Sequence, residues 1–387
     1  MSRRSIALPW GVFGAGNIGD EAMLQGFSEL VRDGWQEPIR IWAGSRNPAY
    51  VSQVVPEFRY FRSKGRPMSP VHRWALRRSD AYLIVGDTPI MDYLGPWPLT
   101  EIARITAVAE ARRKRIGFLG IGTERLHNER SVRRMREQIA PPVEHWTVRT
   151  SEDRIRLASY GVDERRVTVA ADLAWLVPPI DESFGMRWLG RLGCSRDRPL
   201  IGVNVTHDRW SLDQVPELPS VIASALDAII NKRNVDVMLF ANEIREGEEF
   251  DSRGIEEVLG RATRTDRMFP IPNRYWHPQE AMSFVACCDV TLSMRYHFVL
   301  FSAMQGVPFV SISRLGKLAD LCRDLRWPLE LPLRDAHKEN IESLLSDAME
   351  NRDHLSETLH ETREIMVDRA RQNIRSLEAV LRGALMT

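Results

Sequence analysis

The sequence predicts an α/β protein built from two Rossmann-like domains that face a central cleft. Three observations carry this reading. Short apolar runs alternate with amphipathic stretches along the chain, its 387 residues exceed one ordinary core, and a proline-bearing acidic segment interrupts the pattern near the middle. Apolar residues make up 43% of the chain and charged residues 27%, the balance of a globular protein rather than a disordered one.

In the first half, strands are expected at "IALPWGVFG", "IRIWAG", "DAYLIVG", "RIGFLGIG", "HWTVRT" and "RVTVAAD". Helices fall between them at "DEAMLQGFSELVRD", "LTEIARITAVAEARRK", "ERSVRRMREQIA" and "SEDRIRLASYG". Such apolar runs suit parallel strands covered on both faces. The segment "WLVPPIDESFG" (175–185) reads as the break between domains. A second set follows: strands "LIGVNVT", "VDVMLFAN", "VTLSM" and "PFVSIS", with helices "LPSVIASALDAIINKR", "PQEAMSFVACC" and "HFVLFSAMQG". The expected boundaries are an N-terminal domain over 1–178, a linker over 179–198, a C-terminal domain over 199–345, and a helical tail over 346–387 that bridges the two. In such folds ligands sit at the carboxyl ends of the strands.

The net charge of +1 hides an asymmetry. Residues 1–180 hold 27 Lys/Arg against 20 Asp/Glu, and the remainder, by subtraction from 53 and 52, holds 26 against 32. The basic residues concentrate at 59–79 and in "EARRKR" (110–115), which suits either solvated faces or contact with an anionic acceptor or membrane surface. No nucleic-acid motif accompanies them. Cys194, Cys287, Cys288 and Cys322 lack zinc or redox spacing, and no metal is expected. Without a signal peptide or an apolar run of about 20 residues, a cytoplasmic protein is expected, with the inner face of a membrane as an option.

The stretch "GVFGAGNIGDEAMLQGF" (11–27) contains G-x-G-x-x-G in Gly14, Gly16 and Gly19. A dinucleotide loop also needs an acid at the end of the second strand, where this chain has Ser45, Arg46 and Asn47. A 2′-phosphate reader would tolerate that, so an NADP enzyme stays open. Against it, Asp20 and Glu21 occupy the helix start that a pyrophosphate would claim. A capped helix and a turn that aims Asn17 and Asp20 at a polyhydroxyl substrate are the other readings.

The stretch "CCDVTLSMRYHFVLFSAMQGVPFVSISRLGK" (287–317) reads as a buried strand, then a helix ended by Gly306, then another strand. Arg295 and His297 fall at the helix's first turn. Cations there cost roughly 0.3–1 kcal/mol each unless an anion is bound, so a phosphate or carboxylate ligand is the favoured reading, with a salt-bridged Arg295 and a satisfied His297 as the alternative.

With both stretches in hand, the sequence resembles the polysaccharide pyruvyl transferase family. The carrying residues are "GAGNIGDEAML" and "SMRYHFVLFSAMQGVPFVSIS" with Lys317, joined by "VRTSEDR" (148–154) and "VAADLAWLV" (169–177); the likeness spans about 1–330. The resemblance implies a fold similar to GT-B glycosyltransferases, and transfer of the pyruvyl unit of phosphoenolpyruvate onto a saccharide as a ketal, with phosphate released. It implies no cofactor beyond phosphoenolpyruvate as donor substrate, and work in cell-surface polysaccharide or glycoconjugate assembly on an acceptor that is free or lipid-linked. On that basis His297 is the candidate general acid, Arg295 and Arg149 the anion clamps, and Lys317 an aid to the departing phosphate. Asp20 and Asn17, beside Gly16 and Gly19, would bind the acceptor hydroxyls or act as base on one, with Asp20 the catalytic candidate of the two. Asp92 is a further substrate-binding candidate. The chain departs from the family's glycine-rich stretch in "IVGDTPIMDYLG", where Asp87 and Thr88 follow Gly86. A nucleotide-sugar glycosyltransferase and a catalytically silent binding protein are the alternatives.

Overall fold

The computed structural model describes residues 4–10, 12–63, 70–195, 197–244 and 250–383. Contacts divide these into two compact units. One comprises Met1–Ala15, Asp20–Val177 and Ile365–Thr387, and the other Gly16–Gly19 with Pro178–Glu364.

In the first unit, seven parallel strands form one sheet: β1 (Arg4–Leu8), β2 (Ile39–Ser45), β3 (Arg59–Arg62), β4 (Ala81–Val85), β5 (Arg115–Ile121), β6 (Val143–Val148) and β7 (Val167–Val169). Their order is β3-β2-β1-β4-β5-β6-β7, the doubly wound order that reverses between β1 and β4. Side chains alternate across it. Ile84 and Phe118 join one core cluster with Ile102 and Trp146, while Leu83, Val85 and Leu119 join another with Phe27 and Leu377. Strand β1 ends at Leu8, earlier than expected, and β3 lies in the basic segment, where its four residues give too short an apolar signal.

In the second unit, six parallel strands follow the same plan: β8 (Leu200–Asn204), β9 (Asp236–Leu239), β10 (Met268–Pro270), β11 (Val290–Ser293), β12 (Phe309–Ser313) and β13 (Glu330–Pro332), in the order β10-β9-β8-β11-β12-β13. The reversal here lies between β8 and β11, with Ser293 in register with Asn204.

Two boundaries differ from those read in the sequence. Residues 179–198 are not a bare linker. The helix Ser183–Arg191 packs there within the second unit, with the Gly185 amide donating to Ser283 Oγ at 3.0 Å and Trp188 set edge-on to Trp276 at 5.2 Å. The tail is divided between the units at 364/365 rather than set off at 346. Its helix Arg352–Arg371 is shared between the units at Glu364/Ile365, and the helix Ile374–Arg382 packs on β4, β5 and β6 in the first. All four cysteines are buried and free.

Candidate functional site

The residues Gly16–Gly19 leave the first unit and pair with the end of β9's loop. Ile244 donates its amide to the Gly16 carbonyl at 2.7 Å, Ile18 donates to the Asn242 carbonyl at 3.1 Å, and Asn17 forms an antiparallel bridge with Glu243. The turn before them needs glycine: Gly14 and Gly16 hold φ of 76° and 95°, and a β-carbon on Gly14 would lie 2.7 Å from the Asn47 amide. The helix Ile18–Gly34 begins two residues earlier than the sequence suggested, with Asn17 Oδ1 accepting from the Gly19 amide at 3.1 Å.

Gly19 therefore lies inside the helix, and its lack of a side chain has a different cause. A β-carbon there would lie 2.7 Å from His297 Cε1, and nearer still to Nδ1 and Cγ. The imidazole fills that volume. His297 is only 8% exposed, on the first turn of the helix Tyr296–Met304 that follows β11. Residues 278 apart in sequence thus share one contact within the second unit.

The glycine loop is not an anion cradle. The Gly14 amide donates to Glu21 Oε1 at 2.5 Å, so the chain's own carboxylate holds the group a pyrophosphate would need. Ser45 Oγ bonds the Phe13 carbonyl at 3.0 Å and accepts from the Asn47 amide at 3.1 Å, which commits the end of β2 to the turn rather than to a ribose phosphate. Asp20 is 2% exposed in the helix's first turn.

Arg295 departs from expectation. It occupies the cap position rather than the helix's first turn, and its guanidinium is neutralised by acids. Nε donates to Asp251 Oδ1 at 2.7 Å, and Nη2 meets Glu243 Oε2 at 2.8 Å and Thr206 Oγ1 at 3.0 Å. Burial alone would lower its pKa, but Asp251 and Glu243 outweigh that and raise it, so the group stays charged. Two carboxylates against one guanidinium leave no local excess of positive charge for an anion. Among the described residues Nη1 makes none of these contacts.

Asp251 ties the cluster together. Its Oδ2 accepts from the amides of Asn242 and Glu243 and from Asn204 Nδ2, at 2.9, 3.0 and 2.9 Å. The same loop carries the bonds to Gly16 and Ile18, so Arg295 braces the glycine turn through Asp251. Neither Glu243 nor Asp251 was singled out in the sequence. The signal was present in "ANEIREGEEFDS", but five acids within ten residues do not reveal which two are buried.

Arg149 also departs from the clamp expected of it. Within the first unit it pairs with buried Asp172 at 2.8 Å and donates to the Gly120 carbonyl at 3.1 Å. A buried guanidinium needs such a partner, and Asp172 supplies it. Asp92 is spent on the backbone, accepting from the amides of His127 and Asn128 at 3.0 and 2.9 Å. Lys317 is half-buried on the first turn of the helix Gly316–Asp324, after β12. Asp87 takes φ 61° and accepts from Trp10 Nε1 at 3.2 Å. The structure thus gathers His297, Gly19, Gly16, Asn17 and Arg295 in the second unit, and leaves Asp20, Arg149 and Asp92 in the first.

Two doubly wound parallel sheets, one in each unit, define an α/β protein with the GT-B fold. Solved structures share that fold over nearly the whole chain. S. aureus MnaA, in its co-structure with UDP, aligns with a TM-score of 0.67 at 10% identity, covering 99% of this chain and 98% of that one. Anabaena HepE in complex with UDP and glucose gives 0.64 at 11%, covering 98% and 100%. The UDP-GlcNAc 2-epimerase from Neisseria meningitidis bound to UDP-GlcNAc gives 0.63 at 10%, covering 97% and 99%. No curated protein matches the chain. The family model for polysaccharide pyruvyl transferase matches residues 17–315, and the chain belongs to that family.

Proposed function

We propose that the protein transfers the pyruvyl group of phosphoenolpyruvate to two hydroxyls of a saccharide, releasing phosphate. The charge argument made from the sequence does not support this, because Arg295 and Arg149 carry their own acids. The observation that carries it is the packing of His297 on Gly19, which joins the two stretches that mark the family in one place.

At that place the first-turn amides of Tyr296–Met304 lack intrahelical acceptors and the helix dipole favours an anion. The donor's phosphate docks there, with Lys317 as its side-chain partner. His297 protonates C3 of the enol, which makes C2 electrophilic. One acceptor hydroxyl adds to C2 and gives its proton to water. The second hydroxyl displaces the phosphate from C2, closing the ketal, and its proton leaves with the phosphate. Asn17 orients the acceptor.

Release of inorganic phosphate from phosphoenolpyruvate in the presence of diol-bearing saccharides tests this. Wild type should turn over with at least one acceptor, and His297→Ala should lose about 100-fold or more. Equal release by His297→Ala would remove the assigned role. Stabilisation by UDP-sugars with none by phosphoenolpyruvate would favour the nucleotide-sugar reading that the structural neighbours suggest.

A further inference from the structure

The basic segment at 59–79 contains no Asp or Glu, and the site described above makes no use of it. Strand β3 is the edge of the first sheet, and the helix Pro70–Arg78 follows it. That helix turns His72, Ala75 and Leu76 inward and leaves Val71 50% and Trp74 41% exposed. Trp74 packs edge-to-face with Trp42 of β2, ring centroids 5.0 Å apart. Arg59 lies over the Trp42 ring at 5.4 Å and Arg78 over the Trp74 ring at 4.9 Å.

Arg59, Arg62, Arg73, Arg77 and Arg78 are all exposed, and none forms an ion pair with another described residue. The acids that flank the segment are engaged elsewhere: Glu57 bonds Ser28, and Asp80 accepts from the Ser5 amide at 2.8 Å. The result is a surface of unneutralised guanidinium groups around an exposed Trp and Val. No helix among the described residues is long and apolar enough to cross a membrane.

We propose that this face docks the protein on an anionic lipid surface, independently of the chemistry assigned to His297. Each exposed arginine within a Debye length of such a surface gains attraction, and an indole beside arginine stems suits the boundary between headgroups and acyl chains. Charge alone or one apolar residue binds membranes only marginally, whereas the two together suffice for reversible docking. Single-stranded nucleic acid fits less well, because the guanidinium groups over both rings pre-empt stacking by bases.

Co-sedimentation of the full chain with vesicles of phosphatidylcholine, with and without phosphatidylglycerol, tests the proposal. Wild type should bind only the anionic vesicles, and less as salt rises. Replacing Arg73, Arg77 and Arg78 by Gln should weaken binding about 100-fold. Trp74→Ala should weaken it about tenfold, and its exposed site guards against a folding artefact in the triple variant. The proposal is overturned if wild type ignores anionic vesicles, if both variants bind as wild type does, or if single-stranded DNA binds this face and vesicles do not.

Discussion

The imidazole of His297 occupies the space that a β-carbon on Gly19 would need, 2.7 Å from Cε1 and closer to the rest of the ring. Gly19→Ala should therefore push the ring out of place and lower phosphate release by roughly 100-fold, because small displacements of a reacting group are costly. In a His297→Ala background the same substitution should add little, since the clash is gone. A full double-mutant cycle on phosphate release reads the coupling.

The Arg295–Asp251 pair should act first on stability. Arg295→Ala leaves Asp251 and Glu243 buried without their cation, and should cost about 3–5 kcal/mol in urea unfolding. Asp251→Asn keeps the shape but weakens the acceptor of three donors, and should loosen Asn242–Ile244 and with them the glycine turn. Faster amide exchange at Ile18 and Ile244 would show it.

Stability should fall in mild acid. Burial, aided by Arg375, lowers the pKa of His145 to about 4, while Nδ1 bonds Ser376 Oγ at 3.0 Å. The folded pKa lies below the ordinary value near 6.5, so the unfolded chain binds the proton first. The contribution is therefore complete above about pH 6.5 and is lost as pH falls toward about 4. His145→Gln should flatten the slope of unfolding free energy between those limits, measured by urea titration at several pH values.

Arg326 offers a simple gain. It follows the helix Gly316–Asp324 with φ 54°, a conformation that costs a side-chain-bearing residue about 1 kcal/mol. Arg326→Gly should raise stability by roughly that amount in the same urea assay.

The sequence showed the sheets well because parallel strands covered on both faces leave short, continuous apolar runs. "AYLIV" and "VTLS" are legible as β4 and β11 for that reason. Strand β3, "RYFR", was not, since its exposed edge carries arginines. The two motif stretches were also legible, and the structure brings Gly19 and His297 together. Charge pairing was not. Whether Arg295 and Arg149 face a ligand or a carboxylate depends on Glu243, Asp251 and Asp172, which lie 23 to 52 residues away in sequence. A sequence gives the number of acids and not their burial.

The most direct measurement of the donor assignment is the unfolding midpoint of the protein titrated with phosphoenolpyruvate and, separately, with UDP-N-acetylglucosamine. Saturating phosphoenolpyruvate should stabilise wild type by about 2.7 kcal/mol at a hundred times its dissociation constant, and leave Gly19→Ala far less affected. A midpoint that moves with the UDP-sugar and stays fixed with phosphoenolpyruvate would contradict the account.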